Sequence, residues 1–185
     1  MSQTFASLSK EFNDTAAKFA GGEGVWQMTV NKYSLLMRHK AETPEQKEAL
    51  TARLLDAAIK RLEKTVDDIP GMNTFSASRL ESLYGVFKAL CTDENMPFMP
   101  RDASARMADA SLRTVRVMEN YEKHDRVTYE EFNKLRTNYI EFAGFMVDAA
   151  QVVKTAEDTA RPQTQNDVTV GKPANIKSRV PQKPN

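Results

Sequence analysis

The 185-residue sequence predicts an all-α fold: a single antiparallel bundle of about five to six helices with a long C-terminal helix and a disordered tail. Three observations predict it. Between Thr128 and Ala160, Phe132, Leu135, Tyr139, Phe142, Met146, Ala149 and Val153 recur at alternating steps of three and four, one apolar stripe held for three heptads. Five upstream stretches repeat that period, and none shows the period-two alternation of a strand. Beyond Arg161 the composition shifts to Pro162, Pro173, Pro181 and Pro184 with scattered polar residues, which cannot build a core. The expected division is therefore a helical bundle domain over 1–161 and a basic, Pro-rich, disordered tail over 162–185.

The first helix spans Ser2 to Ala20, with Phe5, Leu8, Phe12, Ala16 and Phe19 on one side, and Gly21-Gly22 stops it. The glycine run to Gly24 lacks both the Lys-Ser/Thr ending and the preceding strand of a phosphate loop, so it reads as a helix–helix turn. The second helix runs from Val25 to about Ala41, with Trp26, Val30, Tyr33, Leu36 and Met37 inward and Leu35 to one side. Thr43-Pro44-Glu45-Gln46 opens the third: threonine as N-cap, proline at the first helical position, glutamine closing a capping box. Leu50, Leu54, Ala58, Leu62, Val66 and Ile69 form its stripe, Leu55 and Ile59 widen it, and Pro70-Gly71 end it. Asp67 and Asp68 oppose the dipole of its last turn. They read as a tolerated solvated pair, or more sharply as a seat for a cation or a basic segment.

Asn73 to Ser78 offers caps for a fourth helix, including a Ser78–Glu81 box, with Leu80, Leu83, Phe87 and Leu90 as its stripe. Met96-Pro97-Phe98-Met99-Pro100 follows, where two prolines forbid regular helix while three large apolar side chains need cover. This loop either plugs one end of the bundle or presents a sticky surface. Asp102 or Ser104 caps a fifth helix reaching about Tyr121, with Ala108, Leu112, Val115 and Met118 inward. The last helix starts at a Thr128–Glu131 capping box stapled by Val127 and Phe132. Ile140, Ala143, Val147 and Ala150 broaden its apolar face beyond a coiled-coil seam, a width that predicts burial under the upstream helices. Ala143-Gly144 would allow a close helix approach.

Composition limits function. Hydrophobic residues make up 41% and charged residues 28%, as in a soluble globule, and no apolar run approaches the roughly 18 residues that span a bilayer. The lone Cys91 rules out an intrachain disulfide and a cysteine-built zinc site. A single thiol and a start without an apolar leader segment give a cytoplasmic expectation. From residue 161 onward, Arg161, Lys172, Lys177, Arg179 and Lys183 stand against Asp167 alone, a net +4, leaving −3 for the residues before it within a chain of +1. Nucleic acid or an anionic surface would thus be bound only weakly, through the tail.

Catalytic sets are thin. His39 and His124 lie among charges with no Ser or Cys partner nearby in sequence, and the Glu-x-x-His signature of a helical di-metal site is absent. No catalytic residue, metal ligand or cofactor is assigned, and the chain is expected not to be an enzyme. Asn120 to Glu131, followed by Phe132, resembles an EF-hand calcium loop in its second half. Val127 matches the apolar eighth position and Glu131 the bidentate twelfth. Asn120 replaces the first aspartate, Glu122 and His124 fill the next ligand positions, and Asp125 stands where glycine makes the turn. That resemblance implies a degenerate EF-hand-like cation-sensing regulatory protein, and the capping box with its staple accounts for the same residues without a cation. The leading expectation is a non-enzymatic protein-interaction module: an adaptor, small chaperone or assembly component. It would bind another protein, or a second copy of itself, through a helical face, the Met96–Pro100 loop or the tail. Trp26, Met96, Phe98 and Met99 are the candidate partner-binding residues. For Trp26 the first reading is an anchor at the core edge, and the sharper one a partner-binding residue.

Overall fold

The third helix, not the last, is the element around which the chain is organised. The computed structural model describes residues 4–24, 26–71, 77–120 and 129–160. Within them lie α1 (Phe5–Ala20), α2 (Trp26–His39), α3 (Pro44–Asp68), α4 (Ala77–Leu90), α5 (Ala103–Glu119) and α6 (Tyr129–Ala160), with single 3-10 turns at Ile69–Gly71 and Met96–Phe98. The described residues contain no strand. The tail expected beyond Arg161 lies outside the described residues. No described helix is long and apolar enough to cross a membrane.

Helix α3 packs against α1, α2, α4 and α5. Its expected start forms in full: the Thr43 hydroxyl accepts from the Gln46 N–H at 3.2 Å, and the Gln46 side chain accepts from the Thr43 N–H at 3.3 Å. All eight residues expected inward on α3 are buried, together with Thr51, Ala57 and Thr65. Helices α5 and α6 run antiparallel. Glu11 pairs with Lys32 across α1 and α2, and Glu119 and Arg101 pair with Arg136 and Glu157 of α6 at opposite ends of α5. Helices α3 and α5 run parallel, since Asp56 and Asp67 of α3 meet Arg106 and Arg113 of α5 in the same order. Asp67 and Asp68 are both exposed, as the solvated reading expects, and Asp67 finds a basic partner in Arg113 of α5 of the same chain.

The ends of α1 follow their local chemistry. Thr4 caps it, its hydroxyl accepting from the Ser7 N–H. Gly22 then takes φ +97°, a conformation that costs glycine little, and the Gly22 and Glu23 N–H groups close the helix on Phe19 and Lys18 carbonyls. Helix α4 begins at Ala77, inside the expected run of caps but ahead of Ser78, so Ser78 is not its N-cap and the Ser78–Glu81 box is not formed. Asp102 precedes α5 without a side-chain cap. On α2, Thr29 is fully buried while Val30, expected inward, is only half-buried.

Helices α5 and α6 depart further from expectation. Leu112, expected in the core, is 37% exposed. Helix α5 lies between α3 and α6, and its buried arc facing both is built from Ala103, Ser104, Met107, Ala108, Ala110, Ser111, Thr114, Val115 and Met118. Small side chains let the three axes approach, and Leu112 falls just outside that arc. On α6, Leu135, Tyr139, Phe142, Ala143 and Met146 are buried, chiefly against α4 and α5. The wide face is not covered, however: Ile140 and Val147 are exposed on one flank of the stripe, and Phe145 and Val152 on the other. Two neighbours cover only one arc of a helix, and the other upstream helices are gathered on α3.

The expected close approach at Ala143-Gly144 is not made either. A Cβ added at Gly144, or at Gly85 in α4, would meet nothing within 4 Å. Both glycines carry helix-interior cost without a packing return, so Gly85→Ala and Gly144→Ala should each raise stability by about 0.5–1 kcal/mol. Urea unfolding midpoints measure this, and a loss at either site would contradict the open space described.

Candidate interaction surface

The four candidate partner-binding residues fall at opposite ends of the bundle. Trp26 opens α2 beside the α1–α2 turn. The Met96–Pro100 segment lies at the other end, where Arg38 near the close of α2 reaches Glu94. Met96, Phe98 and Met99 come together as expected, and Trp26 does not join them.

Trp26 is half-buried and packs on the core edge. It lines a cleft of about 250 Å³ together with Phe19, Arg61, Arg79, Ser82 and Leu83. Trp26 is thus an anchor at the core edge that also borders an opening.

The Met96–Pro100 segment divides in the same way. Its prolines shorten it to one 3-10 turn, closed by Phe98 N–H to Asn95 and Met99 N–H to Met96 carbonyls. Asn95 fixes the approach by donating its side-chain amide to the Ala89 carbonyl at 3.1 Å. Met99 packs against the core, Phe98 is half-buried with the Lys47 ammonium 5.2 Å from its ring centroid, and Met96 is exposed. Between this turn and the start of α3 runs a shallow groove of about 700 Å³ edged by Glu45, Glu48 and Arg101. The segment is a plug along Met99 and a surface at Met96.

The surface that sequence reasoning missed is on α6. Phe145 is 63% exposed and Val152 69% exposed, one heptad apart on the same flank. Phe145 breaks the alternation of the main stripe, which is the signal that could have singled it out. Ile140 and Val147, also a heptad apart, were expected inside and stand 39% and 49% exposed.

His39 is exposed at the close of α2, and His124 lies outside the described residues, as does most of the Asn120–Glu131 segment resembling an EF-hand loop. Among the described residues no three His, Cys, Asp or Glu side chains gather as they would around a metal ion. Cys91 is half-buried with its sulfur 3.9 Å from that of Met107. Burial pushes its thiol up to about 11 from an ordinary 9.0, which leaves little thiolate at neutral pH.

Two phenols share the upward direction. Burial raises Tyr33, although its hydrogen bond with Thr51 opposes this. Tyr139 is raised by burial first and by the neighbouring Tyr84 second. All three groups ionise in the unfolded chain before they ionise in the fold. The stability they contribute is whole below about pH 9 and is lost as pH climbs through the folded values, Cys91 first and the tyrosines after. Thermal midpoints should therefore hold between about pH 7 and 8 and fall progressively above 9, with the earliest part of the fall absent in Cys91→Ala. A flat profile to about pH 11 would show these groups to be solvated.

Comparison with protein-family models, with curated proteins and with solved structures finds no match for this chain.

Proposed function

We propose that the protein is a non-enzymatic interaction module, an adaptor or assembly component, that binds a partner protein through the outer face of α6. The observation that carries this reading is the exposure of Phe145 and Val152 on a helix whose opposite face is buried in the bundle. Fully burying each such side chain in an interface is favourable by about 1.5–3 kcal/mol. A paired apolar display on one helix is a recurrent basis for partner contact. The exposed Met96 supports a secondary contact at the end of the bundle. The basic residues beyond 160 would add a weak, salt-sensitive attraction to anionic surfaces. A cytoplasmic location is part of the same proposal and rests on the lone thiol.

A photoreactive residue placed at position 145 or 152 should crosslink to one discrete protein in extracts of the source cells. The same group at Asn13, exposed on α1, should not. Phe145→Lys should abolish capture at position 152 while leaving the unfolding midpoint within about 0.5 kcal/mol of the parent, as for ordinary surface changes. Capture should also survive high salt, because apolar contacts are not screened. Equal capture from position 13, or none from 145 and 152, would refute the reading. Sedimentation of the purified chain decides whether the captured species is a second copy.

A further inference from the structure

The cleft beside Trp26 has a composition the α6 surface does not share: two guanidiniums on an aromatic and aliphatic wall. Arg61 is held in place from both sides. Its guanidinium carbon stands 5.7 Å from the Phe19 ring centroid, and a Cβ added to Gly22 would lie 2.7 Å from its Nη1. The stem of Lys64 lies beside the same glycine. Arg79 reaches the cleft from the first turn of α4, where a helix dipole favours negative charge.

Neither arginine makes an ion pair among the described residues, whereas Arg38, Arg101, Arg106, Arg113 and Arg136 all do. Burial and the adjacent Arg79 charge lower the Arg61 pKa, and Asp68 nearby partly offsets this. Two like charges are thus held close together at a partly dry opening. Two hydroxyls of the cleft are engaged within their own helices: Ser82 donates to the Ser78 carbonyl and Thr65 to the Arg61 carbonyl, both at 2.8 Å. Recognition would rest chiefly on the guanidiniums, whose planar forks match phosphate oxygens.

We propose that this cleft binds a phosphate monoester carried on an aromatic or apolar group, the phosphate between Arg61 and Arg79 and the carbon portion against Trp26 and Leu83. A monoester near neutral pH carries close to two negative charges and three acceptor oxygens, matching two guanidiniums, where a carboxylate would match one. The cleft volume of about 250 Å³ equals roughly eight water volumes, room for a phosphate and one ring. Unesterified phosphate would leave the apolar wall wet. The ester could come from a free metabolite or from a phosphorylated side chain, since both present the same group.

Trp26 is the only tryptophan in the chain, so its fluorescence reports on the cleft directly. Phenyl phosphate titrated into the full chain should give a saturable change in that fluorescence, more tightly than inorganic phosphate, while phenol should give none. Arg79→Gln, at an exposed position, should weaken phenyl phosphate about tenfold or more with the fold intact. Arg61→Gln should do the same, and if it fails to fold, Arg79→Gln decides alone. A phosphotyrosine peptide that binds more tightly than phenyl phosphate identifies the source as a phosphorylated protein, and one that binds no better identifies a free ester. The proposal fails if phenyl phosphate at millimolar concentration gives no saturable change, or if Arg79→Gln binds it as the parent does.

Discussion

Replacing Tyr139 by alanine is expected to cost about 3–5 kcal/mol, as for other fully buried aromatic side chains. Tyr139 has no exposed surface, and its hydroxyl donates to the Leu80 carbonyl of α4 at 2.6 Å. Its ring lies 5.6 Å from that of Tyr84, and the adjacent Phe142 stacks on Phe87 at the same spacing with the planes 9° apart. These aromatics form the seam between α4 and α6, so the alanine variant opens a cavity where the last helix docks. Tyr139→Phe separates the contributions. It keeps the ring and removes one neutral hydrogen bond, for an expected loss of about 1 kcal/mol. Urea unfolding followed by circular dichroism measures both, and in a chain of this size the alanine variant should melt roughly 6–20 °C lower. An alanine cost below that of phenylalanine would overturn the assignment of the seam.

Leu55→Asp should be more damaging still. Leu55 is fully buried at the middle of α3, the helix that touches four others. The substitution removes apolar packing and places a carboxylate where nothing can solvate it, for a combined cost above about 5 kcal/mol. That approaches the whole stability of an ordinary domain, so the variant should be largely unfolded at neutral pH. Its carboxyl would be forced up in pKa, which makes the variant relatively less destabilised as pH falls and the group protonates. Leu112→Asp is the matched comparison. Leu112 is partly exposed on α5 and stands four residues before Arg116, a spacing that mildly favours an acid–base pair. Its cost should stay within about 1 kcal/mol. Equal costs at 55 and 112 would mean that α5 is turned differently from the arrangement described.

The contrast between those two leucines marks how far the sequence is legible. Helix α3 reads correctly from its capping box to its Pro-Gly end because its start is a local hydrogen-bond pattern and its face is broad. A helix surrounded by four neighbours buries nearly every apolar residue it has, so period alone locates its core. Helix α5 reads poorly because its neighbours approach over alanine, serine and threonine, and a side chain chosen for size, Leu112, lies outside the contact. The Met96–Pro100 segment reads half correctly: its prolines specify a short turn, and the choice among its three large side chains depends on where α3 passes.

The surfaces follow the same division. Trp26, Met96, Phe98 and Met99 could be singled out as unusual residues in unusual places, but their separation to opposite ends of the bundle depends on the lengths and directions of α2 and α3. Phe145 and Val152 belong to no stripe in sequence and become a surface only because α4 and α5 leave one side of α6 bare. Arg61 and Arg79, distant in sequence and ordinary in composition, meet only through the packing of α3 against α4.

By itself the sequence determined the helical class, the six segments, the capping box of α3 and the glycine and proline stops of α1 and α3, since periodicity, capping hydrogen bonds and proline act over a few residues. The tertiary structure alone decided which helix is central, which apolar residues remain exposed and which charges face one another. Those outcomes depend on the arc each helix offers to its neighbours, a quantity fixed by the distance and direction of every axis at once.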